Sequence, residues 1–225
     1  MLVSLKASQV RAEARVSLRG YWAPLAGATV LYLLLSVVSG FIPFLGPLLI
    51  GIPLYLGYYN TIRLTRKGRR ASCGGIFSAF GNGLFWRSIG TMLLTGIFVL
   101  LWALLLIIPG IIAAFSYALA PWIILEDPTC GCNEALNRSK VLMKGNKWRL
   151  FCLSLSFIGW AILSILTLGI GTFWLMPYIV MASYTFYVHA SAQSTQTQFM
   201  NPISAPYTTD HSAPMLGSVV PVAVV

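Results

Sequence analysis

The side chains in this sequence that could do chemistry are few. The acids are Glu13, Glu126, Asp127, Glu134 and Asp210, the imidazoles His189 and His211, and the thiols Cys73, Cys130, Cys132 and Cys152. Acid–base and nucleophilic catalysis need such groups within hydrogen-bonding reach of one another, and the spacing here pairs none of them. Glu126 and Asp127 could meet Glu134 around a hard cation, which takes carboxylate oxygens. The plainer alternative is a solvated loop in which these acids pair with Arg138. The CGC run at Cys130 and Cys132, even with Cys73 added, falls short of the four ligands of a tetrahedral zinc site, and its spacing is too tight. Cys152 lies in an apolar run and reads as a small hydrophobe. The expectation is a chain without metal, cofactor or catalytic activity.

The elements that hold these residues are overwhelmingly apolar. The 225 residues are 57% hydrophobic and 9% charged, where a soluble domain is about half apolar and about a quarter charged. A bilayer core takes roughly 20 apolar residues of helix, and six runs approach that length, at about 21–41, 48–62, 88–108, 111–125, 150–168 and 173–189. Pro109 and Gly110 are expected to separate the third run from the fourth, and each returning run carries a proline, Pro53, Pro121 or Pro177. No carboxylate or histidine lies between the ends of a run, with His189 at the terminus of the sixth, which disfavours proton-coupled transport. Ser36 with Gly40, Ala114 with Ala118, Ser116 with Ala120, and Ser154, Ser164 and Thr167 suit close helix approach or the lining of a lipidic path. The fold class is thus all-α and polytopic: six transmembrane helices in three hairpins forming one membrane domain over 1–190. The Ser-, Gln- and Pro-rich residues 191–225 read as a disordered tail.

The positive charge is segregated. All 15 Lys and Arg residues fall before the first run, between Arg63 and Arg87, or between Arg138 and Arg149. The positive-inside rule then places both termini and both basic loops in the cytoplasm of a multi-pass cell-membrane protein. A net charge of +10 raises the question of nucleic acid, but these residues sit between hydrophobic runs rather than on one soluble face, so anionic lipid headgroups are the expected partner. Each hairpin is preceded by an amphipathic basic stretch suited to the membrane surface. Arg11, Arg15 and Arg19 share one face of the first, and Lys140, Lys144 and Lys147 repeat that spacing in the third; all six are candidate headgroup contacts. Each stretch ends in a glycine and a tryptophan, Gly20 and Trp22, Gly83 and Trp86, Gly145 and Trp148. The tryptophans recur at intervals of 64 and 62 residues, read as interface anchors of a threefold repeat.

In RAEARVSLRGYW, in LLLIIPGIIAAFSYALAPWIILED and in EALNRSKVLMKGNKWRLFCLSLSFIGWAILSILTLGIG, the sequence resembles a bacterial integral-membrane family, domain of unknown function 975. The likeness covers most of residues 6–190 and excludes the tail. The family is also distantly similar to the membrane domain that accompanies some glycerophosphodiester phosphodiesterases. The resemblance implies a membrane protein and supplies no activity. The function read from the sequence is a membrane-embedded interaction or lipid-handling component. The alternative is a transporter or permease subunit for a small or lipidic molecule, for which a cavity between the hairpins would speak.

Overall fold

The computed structural model describes residues 7–42, 45–69, 73–81, 83–167 and 169–200. These residues are predominantly helical, without strands. The helices are α1 (Ala7–Leu18), α2 (Trp22–Gly40), α3 (Ile52–Arg66), α4 (Leu84–Leu105), α5 (Ile107–Tyr117), α6 (Ala120–Glu126), α7 (Cys132–Met143), α8 (Lys147–Leu166) and α9 (Thr172–Met200). A π-helical turn, Pro47–Gly51, leads into α3, and a 3₁₀ segment, Cys73–Phe80, precedes α4.

Four segments are long and apolar enough to cross a membrane: Trp22–Gly40, Leu84–Leu105, Ile107–Glu126 and Lys147–Leu166. The first, second and fourth of these are only 22%, 17% and 22% buried, so α2, α4 and α8 form the outside of the bundle. Their exposed side chains are Leu34, Val37, Val38, Leu93, Ile97, Leu100, Leu155, Ile158 and Ile162 among others. A contiguous apolar exterior of this kind has no favourable partner in water and does in hydrocarbon. The core is built from α3, α6 and α9: Leu54, Leu56, Tyr58, Ile62, Trp122, Ile124, Met181, Tyr184 and Phe186 are all nearly inaccessible. α3 is also the most polar of the long helices, with Tyr55, Tyr58, Tyr59, Asn60 and Thr61. A helix jacketed by protein need not be apolar all round, provided its polar groups are paired. The Thr29 hydroxyl donates to the Leu25 carbonyl (2.8 Å), so Tyr58 donates to Thr29 across 2.9 Å. Asn60 Nδ2 donates to Ser78 Oγ (2.9 Å).

Several elements differ from the expectation. The third run ends at Leu106, whose extended backbone (φ −160°, ψ 139°) separates α4 from α5. Pro109 falls in the first turn of α5, where its missing amide proton leaves no bond unmade. Gly110 serves helix packing: a Cβ there would lie 2.7 Å from Ala103 Cα. The fourth run is broken again at Ala118–Leu119, and Pro121 begins α6. Pro53 likewise sits in the first turn of α3, and Pro177 lies inside an uninterrupted α9. That helix continues to Met200, past the point where the tail was expected to begin. Residues 201–225 lie outside the described residues.

The amphipathic stretches are seated on protein. Val10, Ala14 and Leu18 of α1 are at most 1% exposed, packed on α9 rather than dipped into a lipid interface. In the 3₁₀ segment Ile76 and Ala79 are fully buried against α3. Gly57 makes that seat, since a Cβ on it would fall 1.7 Å from the Ile76 carbonyl oxygen. At the entrances to α2, α4 and α8 the predicted glycines all turn the chain with left-handed φ, Gly20 at 82°, Gly83 at 69° and Gly145 at 83°.

Candidate functional site

Charged contacts centred on Glu126 and Glu13 tie the ends of α3 and α6 to α1 and α9. Glu126 closes α6 and accepts hydrogen bonds from Lys67 Nζ and the Tyr184 hydroxyl, both at 2.8 Å, with Arg63 3.7 Å away. Arg63 also donates to the Leu125 carbonyl. Glu13 of α1 lies 2.7 Å from His189 Nε2 and 3.8 Å from Arg66. Asp127, one residue beyond Glu126, turns the other way, to Arg138 (3.0 Å), which also holds Glu134 (2.5 Å). Of the three carboxylates considered for a cation site, Asp127 and Glu134 thus converge on Arg138 while Glu126 faces away from them, and the described residues contain no group of three potential metal ligands. Cys130 is buried, and the thiol of Cys132 points at the Arg87 carbonyl (3.8 Å). Asp210, His211 and the side chain of Cys73 lie outside what is described.

This pairing leaves a charge imbalance. Glu13, Glu126, Asp127 and Glu134 are engaged by Arg63, Arg66, Lys67, Arg138 and His189. Among the described residues, Arg11, Arg15, Arg19, Arg69, Arg87, Lys140, Lys144, Lys147 and Arg149 have no carboxylate partner.

Arg11 and Arg15 line a cavity of about 390 Å³ between α1 and the facing ends of α8 and α9. Trp22, Trp160, Leu163, Trp174, Leu175 and Tyr178 form most of its remaining wall, with Ser164, Thr167 and Gly171 at the α8–α9 turn. The Tyr178 hydroxyl donates to the Arg11 carbonyl (3.4 Å), fixing α1 against α9. Arg11 Nε is buried without a hydrogen-bond partner. Trp160 and Trp174 are about half exposed. A second cavity, of about 320 Å³, lies among α3, α5, α6, α8 and α9. Tyr55, Tyr59, Phe115, Trp122, Ser154 and Ser183 line it, and no charged side chain does.

The structure brings Arg11 and Arg15 together but separates the three lysines. Lys140 belongs to α7 and stands over the rings of Tyr117 (5.3 Å) and Phe98 (5.9 Å). Lys144 is in an extended conformation past the end of α7, and Lys147 opens α8. The left-handed turn at Gly145 divides what regular spacing would place on one face. Trp86 and Trp148 are 72% and 71% exposed near the starts of α4 and α8, whereas Trp22 is half-buried in the cavity wall. Sequence reasoning missed Ser139 of α7. Its buried hydroxyl donates to the Ser116 carbonyl (2.8 Å) and accepts from the Leu119 amide (3.3 Å), satisfying backbone groups freed by the break between α5 and α6. A lone serine on a basic helix carries no signal of that role.

Four helical segments long and apolar enough to cross a membrane, with an apolar exterior, point to the class of helical membrane proteins. Residues 103–194 match the model of a family described as Protein of unknown function (DUF975). The match runs from the end of α4 into α9 and is shorter than the likeness read from the sequence. It includes the α8 and α9 walls of the cavity and excludes Arg11, Arg15 and Trp22. No curated protein and no solved structure matches the chain.

Proposed function

We propose that this chain is a non-enzymatic, lipid-handling or interaction component of the cell membrane. In this reading, α2, α3, α4, the α5–α6 pair, α8 and α9 cross the bilayer as three hairpins, with both termini and the basic loops in the cytoplasm. α3, at 15 residues, is shorter than the four segments of spanning length, and α9 carries several Tyr, Ser and Thr side chains, of which Tyr184 and Thr185 are buried. The observation that carries the reading is the set of cations left without carboxylates. A membrane-embedded chain whose own acids are already engaged draws its compensating charge from outside, and the anionic headgroups of the inner leaflet are the nearest source. Each basic residue near such a surface contributes about 1 kcal/mol. Catalysis is not assigned, since every described carboxylate is held in an ion pair.

The test is the lipid shell. Extraction into polymer-bounded discs, without detergent, should yield protein whose surrounding lipid is richer in anionic species than the bulk membrane. A shell of bulk composition would count against the proposal. The second cavity favours a rival reading, a permease for a small apolar molecule, because two of the small residues at its wall, Ala114 and Ala118, leave space instead of closing it. Proteoliposomes that accumulate such a solute down an imposed gradient would support that rival.

A further inference from the structure

We infer that the cavity between α1 and the ends of α8 and α9 is a binding site for one anionic phospholipid, whose headgroup phosphate is held by Arg11 and Arg15. The inference rests on the lipid-contact reading above and deepens it from a diffuse attraction to a built site.

Three observations converge on it. The volume, about 390 Å³, lies within the range of small-molecule sites. Two guanidinium groups line the cavity, no carboxylate does, and Arg11 Nε is buried with nothing to bond. The planar forks of two arginines suit phosphate oxygens in paired, charge-assisted bonds. The rest of the wall is mainly indole, phenol and leucine. Trp160 and Trp174, 55% and 52% exposed, stand near the α8–α9 turn and offer apolar ring faces to the chains of a lipid whose headgroup sits at the arginines. Free inorganic phosphate would use the arginines but would leave this apolar wall uncovered, whereas a lipid covers both. The second cavity offers no charge to choose an occupant and carries no comparable argument.

The experiment is native mass spectrometry of the full chain after exchange into mixed phosphatidylglycerol and phosphatidylcholine. The wild type should retain one phosphatidylglycerol after the remaining lipid is stripped. Arg11→Gln with Arg15→Gln should lower that retention by roughly tenfold or more, the value of one charge-assisted bond. Trp160→Ala with Trp174→Ala changes no charge and alters exposed side chains, so the fold should persist; it should lower retention several-fold. Retention at the wild-type level in either pair would overturn the site. Displacement of the lipid by millimolar inorganic phosphate would make the ligand a free anion and overturn the lipid assignment. A wild-type shell enriched in anionic lipid with no single retained molecule would defeat this site and leave the proposed function standing. A shell with no enrichment would defeat the proposed function itself.

Discussion

Glu126 and Asp127 are chemically similar neighbours with opposite partners, because α6 ends between them. Asp127 has left helical geometry (φ −123°, ψ 88°), so its side chain swings toward α7 while Glu126 stays on the α3 side. The candidate cation site was legible as a group of acids, but which way each acid pointed depended on that single backbone step. Replacing Glu126 with Gln removes the countercharge of Arg63, whose side chain is 15% exposed, and should destabilise the protein by about 1–3 kcal/mol. Thermal unfolding in detergent measures it; an unchanged midpoint would mean that the network contributes nothing. Asp127 is held below the ordinary carboxylate range by the Thr129 hydroxyl first, and by Arg138. A depressed folded-state value means stability that is present above the ordinary Asp value and lost as pH falls through the folded one. With Asp127 and Arg138 37% and 44% exposed, the pair is worth only ~0.2–1 kcal/mol. Asp127→Asn should therefore cost little at neutral pH, and that small cost should vanish as pH falls through the depressed folded-state value of Asp127. At Cys130, burial pushes the thiol up to about 11. The reactive thiolate is scarce at pH 8, so alkylation read by peptide mass spectrometry should be slow there and rise steeply above pH 10. Fast modification at pH 8 would show that the α6–α7 turn opens.

At the scale of elements, helix class and approximate position were legible because apolar runs of spanning length have few alternatives. The joints were less so. Proline and glycine marked a joint near residue 109, yet the chain bends at Leu106, since proline is at ease in a first turn and Gly110 is needed where α5 meets α4. The amphipathic pattern of α1 puts Val10, Ala14 and Leu18 on one face, and these are its buried residues. It could not tell whether lipid or α9 would cover that face, because both reward the same periodicity. The helix past residue 190 was missed because a polar composition reads as unfolded, although Ala190 is buried and Ser191 and Ser194 donate back to Val188 and Ser191 carbonyls. Packing at this scale is tested by two glycines. Gly57→Ala puts a methyl into the Ile76 carbonyl and should cost about 1–3 kcal/mol or more as the 3₁₀ segment is pushed from α3. Gly27→Ala meets nothing within 4 Å and should be neutral or slightly stabilising through helix propensity. Equal midpoints for the two would contradict the seat.

For the whole molecule, the contacts of Glu126 and Glu13 with α3 and α9, and of Cys132 with Arg87, draw the carboxylates of α1 and α6 to the basic end of α3 and the start of α7 to the start of α4. The turns between the spans carry exposed Phe41, Leu45, Leu106 and Ile170 instead. The account's central claim is that this charged end lies in the cytoplasm and the apolar turns lie across the membrane. Single cysteines in a cysteine-free background, probed in intact cells with an impermeant thiol reagent, test it. Leu45 and Ile170 are suitable exposed positions, since side chains at Gly46 and Gly171 would collide with Ser39 and Ser164. Lys144, also exposed, reports on the charged end. Labelling of Leu45→Cys and Ile170→Cys, with Lys144→Cys protected until the cells are lysed, is the predicted result; labelling of Lys144→Cys in intact cells would contradict the account.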